Sequence, residues 1–184
     1  MGQLELYQLQ NGYRYNSDTL FLYDFIGSKP KGQILDVGCG CGILGLLIAR
    51  DNEIKLTGID IDPLNVQISQ HNASVNGIAG EFIAEDFSKF KSDIKFDFII
   101  SNPPFYHTDV AKSQNKHIAN SRYSDSLSLE EFLASCNRNI KPKGVLYFCY
   151  DAKQIGDIIP LLSKFKLNLT KLKFIYSKDN QNAK

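Results

Sequence analysis

From residue 33 onward, short apolar runs alternate with helix signals, and that alternation leaves few folds open. Residues 33–37, 55–60, 81–84, 96–100, 145–150 and 168–176 read as six strands, the fifth of them buried. Helix signals fill most of the gaps, over 43–50, 62–76, 128–140 and 155–165. The punctuation is specific. Asp62-Pro63 supplies an N-cap and a proline at the first helical position, and Asn76-Gly77 stops that helix. Ser128-Leu129-Glu130-Glu131 is a capping box. Residues 18–26 read as a further short helix, stopped by Gly27. Strands separated by helices cannot pair as hairpins, so the expectation is α/β, a doubly wound and mostly parallel sheet.

At 184 residues and 43% hydrophobic, the chain can bury one domain-sized core. No apolar run reaches membrane-spanning length and the N-terminus is polar, which predicts a cytoplasmic protein with no membrane partner. Cys39, Cys41, Cys136 and Cys149 lack metal-site spacing, so they read as reduced and structural, with no metal. Net charge is only +1, but the stretch from Lys164 carries +5 and the rest −4. That asymmetry permits a polyanion partner; an ordinary wet face explains it about as well. Oligomeric state stays open.

Asp36-Val37-Gly38-Cys39-Gly40-Cys41-Gly42 follows the first strand. Its glycines allow a tight turn and close ligand approach next to a helix N-terminus. It departs from the dinucleotide fingerprint, whose third glycine would fall on Ile43. A leading Asp36 repels phosphate and suits a ligand with positive charge. Asp60, ending the second strand, can accept from both hydroxyls of a ribose. After the third strand, Asp86 can accept from an adenine amino group while Phe87 or Ile61 packs on the ring. Each acid alone is more often a cap or turn residue; the ordered set is harder to dismiss.

Asn102-Pro103-Pro104-Phe105 closes the fourth strand. Two prolines forbid helix and fix the exit path. The Asn102 amide oxygen and the Pro103 carbonyl then form two acceptors for a planar amine, with Phe105 as a flat apolar face. A proline-rich turn with an asparagine cap is the plain alternative. Residues 106–126 are polar and weakly periodic and read as a mobile loop beside this motif.

Together, Asp36 to Gly42, Asp60, Asp86 and Asn102 to Phe105 resemble the Rossmann-like S-adenosylmethionine-dependent methyltransferases that act on amino groups. The resemblance covers residues 8–178. Gln8-Leu9-Gln10-Asn11-Gly12-Tyr13-Arg14-Tyr15-Asn16-Ser17-Asp18-Thr19, Ser121-Arg122 and Phe174-Ile175-Tyr176 are further similar to the bacterial tRNA1(Val) (adenine-37-N6)-methyltransferase family. Phe105 stands where tyrosine is commoner.

The resemblance implies a class I fold in three parts. Residues 1–30 close over the cofactor, 31–178 form the methyltransferase domain, and 179–184 are a connector or truncated end. Family relatives continue with another strand inserted between the fifth and sixth, so the expected sheet lacks it. The cofactor implied is S-adenosylmethionine, held by Arg14, Asp18, Thr19, Asp36, Gly38, Gly40, Asp60, Ile61, Asp86, Phe87 and Asn102. Asn102, Pro103 and Phe105 are the implied catalytic set, the substrate an exocyclic amine of RNA, adenine in tRNA favoured. Ribosomal RNA base methylation is the nearest rival. Glutamine N5-methylation implies a helical domain before the glycine loop, for which about 30 residues leave no room. A non-catalytic RNA-binding relic is opposed by intact Asn102, Pro103 and Phe105.

Overall fold

A computed structural model describes residues 3–10, 14–27, 30–103 and 127–176. Five strands form one sheet: β1 (Gly32–Val37), β2 (Ile54–Asp60), β3 (Gly80–Ala84), β4 (Phe96–Ser101) and β5 (Ile140–Phe148). They pair in the order β3-β2-β1-β4-β5, every pair parallel. The connections carry α1 (Ser17–Ile26) ahead of the sheet, then α2 (Ile43–Asp51), α3 (Pro63–Val75), α4 (Leu129–Asn139) and, after β5, α5 (Ile155–Lys164).

Alternation along the central strands divides the core. Leu35, Val37 and Ile99 face Phe132, Leu133 and Cys136 of α4 and Ile158 and Leu162 of α5. Their neighbours Ile34 and Ile100 face Leu22 and Ile26 of α1 and Leu44 and Ile48 of α2. Both faces of the middle strands are therefore apolar, as a covered parallel sheet requires. Each fully buried large side chain contributes about 1.5–3 kcal/mol. The anticipated caps are present: Asp62 accepts from Leu64 N–H with Pro63 at the first helical position, and Ser128 and Glu131 complete the capping box. Among the described residues no helix is long and apolar enough to cross a membrane.

Two strand expectations need correction. β5 starts at Ile140 rather than 145, and most of it is only half-buried, with β4 its one neighbour in the sheet among the described residues. Residues 168–176 form no strand. The apolar and β-favouring residues there are not enough, because a strand also needs a ladder partner, and Leu169, Leu172, Phe174 and Tyr176 stay largely exposed.

Candidate active site

Strand order reverses between β1 and β4, and in open parallel sheets that switch point is where the carboxyl ends of strands leave a crevice. Register puts the two principal motifs side by side there. Val37 pairs with Ser101, so the glycine loop and Asn102 leave the sheet as neighbours. The Ser101 hydroxyl locks them by donating to the Val37 carbonyl at 2.7 Å.

The glycine loop is fastened to β2. Gly38 and Cys39 N–H both donate to the Ile59 carbonyl, at 2.8 and 3.1 Å. Gly38 and Gly40 have φ of 67° and 56°, and a Cβ on either would meet nothing within 4 Å. Left-handed backbone favours glycine at both positions, and the ground beside them is open.

Asp60 organises this loop from the next strand. Its Oδ2 accepts from Gly40 N–H at 2.9 Å, and its Oδ1 from Asp62 N–H at 2.9 Å and Asn65 Nδ2 at 3.2 Å. A carboxylate has about four acceptor positions, so capacity remains on Oδ2. Burial pushes the Asp60 carboxyl above its usual range, opposed by the Asp62 and Gly40 N–H bonds. Asp36 is deeper: it accepts from Gly45 N–H at 2.9 Å, and burial raises it to about 7, with Asp60 adding repulsion. Among the described residues no lysine or arginine pairs with either acid. Two buried acids at one loop without a counter-charge fit a ligand that brings positive charge.

Asp86 caps its own turn, Oδ1 accepting from Ser88 N–H and Oγ at 2.9 and 2.7 Å, with Lys89 Nζ 3.3 Å from Oδ2. Those hydrogen bonds, led by the Ser88 hydroxyl, hold its carboxyl below the usual range. Phe87 is the clearest correction. Its ring is buried among Phe90 and Phe132, on the core side, and is not free to cover a ligand. Ile61, 49% exposed at the end of β2, is free to do so.

Asn102 Nδ2 donates to Thr19 Oγ1 at 2.8 Å, with Asn16 Oδ1 at 3.5 Å. Its Oδ1 takes no donor among the described residues. Asn102, Pro103, Asn16 and Asp18 line a groove of about 1480 Å³ together with the residues of β5. Asp18 lies in the first turn of α1, which Asn16 caps through Asp18 N–H at 3.1 Å. Arg14 is exposed, its described bond running to the Gln10 carbonyl at 3.5 Å. Phe105 and the predicted loop 106–126 lie outside the described residues.

Sequence reasoning missed three side chains. Asn16 and Asn65 serve the motifs through a cap and a donor. Asn72, fully buried, donates to the Cys41 carbonyl at 2.8 Å and brackets Tyr7 by accepting its N–H and donating to its carbonyl. An asparagine inside a helix, where its propensity is poor, was the available signal.

The methyltransferase small domain family matches residues 14–166. A tRNA1(Val) (adenine(37)-N6)-methyltransferase of Shewanella loihica is 30% identical over 86% of this chain and 68% of its own length. Ribosomal RNA small subunit methyltransferase C of Escherichia coli is 46% identical over 78 residues, 41% of this chain and 22% of that one. Among solved structures, a SAM-dependent methyltransferase from Thiobacillus denitrificans in complex with S-adenosyl-L-homocysteine shares the fold, with a TM-score of 0.52 at 21% identity over 73% of this chain. The chain spans 48% of that structure's length.

Proposed function

Since the chain belongs to the methyltransferase small domain family, we propose that it transfers the methyl group of S-adenosylmethionine to an exocyclic amino group of RNA, adenine in a tRNA. The observation that carries this reading is the Val37–Ser101 pairing, which seats the amine-holding Asn102-Pro103 beside the glycine loop. When bound, S-adenosylmethionine supplies a methyl group on a positively charged sulfur. Gly38 and Gly40 would lie along its methionine part, with Asp36 offering charge to its ammonium group. Spare acceptor capacity on Asp60 Oδ2 suits a ribose hydroxyl, and Ile61 suits one face of the adenine. Asp86 would accept from the adenine amino group, with Asp18 and Arg14 closing from the N-terminal side.

An exocyclic base amine is a weak nucleophile because its lone pair is delocalised into the ring. Asn102 Oδ1 and the Pro103 carbonyl would take its two hydrogens and favour the pyramidal, reactive nitrogen. Phe105 would stack on the flipped base. Positioning the nitrogen in line with the methyl group supplies much of the remaining acceleration. The partner is RNA and the location cytoplasmic.

The 46% identical stretch favours ribosomal RNA as the second substrate to test. Labelled methyl transfer to unmodified total RNA, followed by nucleoside mass analysis, separates these readings. The expected product is N6-methyladenosine in the tRNA fraction, absent with Asn102→Ala although cofactor affinity stays within a few-fold. Label in protein instead would overturn the reading in favour of a glutamine amide.

A further inference from the structure

We infer that Thr19 is a positioning residue for methyl transfer: with the N-cap of α1, it holds the Asn102 amide so that its oxygen, not its nitrogen, faces the acceptor amine. An asparagine amide has two ends of nearly equal shape and opposite polarity. Flipped, Asn102 would present N–H donors to an amine that itself carries N–H donors, and the grip would become repulsion. Something must therefore fix the orientation.

Fixing begins at the backbone. Asp18 N–H can only donate, and its acceptor at 3.1 Å is Asn16 Oδ1, so Asn16 must present oxygen on that side. Asn16 Nδ2 in turn donates to Asp18 Oδ2 at 3.1 Å, which holds the Asn16 amide at its other end. The same Asn16 oxygen faces Asn102 Nδ2 at 3.5 Å, and Thr19 Oγ1 accepts from that nitrogen at 2.8 Å. A flipped Asn102 would set oxygen against oxygen at Asn16. Thr19 is only 3% exposed, so water has little access to replace its hydroxyl. The resemblance placed Thr19 against the cofactor; its observed hydrogen bond runs to Asn102 instead.

This inference rests on the proposed role of Asn102. The test uses the full chain, S-adenosylmethionine and an unmodified tRNA transcript. Thr19→Val keeps the β-branched shape and removes the hydroxyl. It is expected to lower kcat about 10- to 100-fold, as loosened alignment does, with cofactor Kd and RNA KM within about threefold. Thr19→Ser should restore turnover to within a few-fold of wild type. Should Thr19→Val not fold, Thr19→Ala is expected to show the same split. If Thr19→Val keeps wild-type kcat while Asn102→Ala is dead, the inference fails and the functional reading stands. Cofactor affinity falling in parallel with kcat would also overturn it, making Thr19 a cofactor contact. Full activity of Asn102→Ala would remove the functional reading itself.

Discussion

Asp60 Oδ2 accepts the Gly40 N–H at 2.9 Å, so the carboxylate at the end of β2 sets the path of the loop at the end of β1. One side chain thereby joins two motifs twenty residues apart in sequence. Building the loop and offering capacity to a ligand are the same act, because the N–H bonds that shape the loop also keep a buried carboxylate ionisable.

Asp60→Ala is accordingly expected to weaken S-adenosylmethionine binding by about 1–3 kcal/mol, the scale of a lost charged hydrogen-bond acceptor. Asp60→Asn should weaken it as well, because whichever way the amide turns it sets an NH2 against the Gly40 or the Asp62 N–H. Isothermal titration decides, and unchanged affinity in both variants would remove Asp60 from the site.

Asp36 gives a pH prediction whose sign follows from burial. Its folded value, about 7, lies above the unfolded value, so the native state binds the extra proton between roughly pH 4 and 7. Its contribution therefore favours folding at low pH and is lost as pH rises through 7. Asp36→Asn keeps an acceptor for Gly45 N–H and carries no charge. Urea midpoints should show it more stable than wild type at pH 8 and nearly equal at pH 4, while cofactor binding weakens. No stability gain at pH 8 would contradict the burial argument.

Phe87 and Ile61 are adjacent to different acids and have opposite fates, which mutation separates. Phe87→Leu should cost about 1–2 kcal/mol of folding stability through lost core packing, with cofactor affinity little changed. Ile61→Ala should leave stability within about 0.5 kcal/mol, as exposed positions do, and weaken cofactor binding. Denaturant unfolding together with cofactor titration of both variants checks which of the two serves the core and which the ligand.

Much of this was legible in the sequence because its signals are local. The helix starts at Asp62 and Ser128 were written in cap residues, and the strands ending at Val37, Asp60 and Ser101 in apolar runs closed by glycine, acid or proline. The acids and glycines at those strand ends came together because parallel strands share a carboxyl end. What stayed hidden depends on neighbours. Phe87 could not be assigned to core or cleft from its place after Asp86, since only packing against Phe90 and Phe132 decides. Residues 168–176 carry strand-favouring residues and still form no strand, because pairing is a property of two segments.

Asn72 supplies the last prediction, since it ties the N-terminal segment to the glycine loop. Its side-chain Oδ1 accepts from Tyr7 N–H at 2.8 Å, and its Nδ2 donates to the Tyr7 and Cys41 carbonyls at 2.9 and 2.8 Å. One helical turn on, Asn76 brackets Glu5 in the same way, at 2.8 and 2.7 Å. The two asparagines thus stand in for a neighbouring strand along residues 5–7. Asn72→Ala removes three bonds, of which the one to Cys41 braces the glycine loop. Water can reach Tyr7 but less readily Cys41, so the expected cost is about 2 kcal/mol. For a domain of this size that lowers Tm by about 4–8 °C. Hydrogen exchange should accelerate at the Tyr7 amide, with Glu5 protected for longer by Asn76. A Tyr7 amide that stays protected in the variant would show that Asn72 does not hold the segment down.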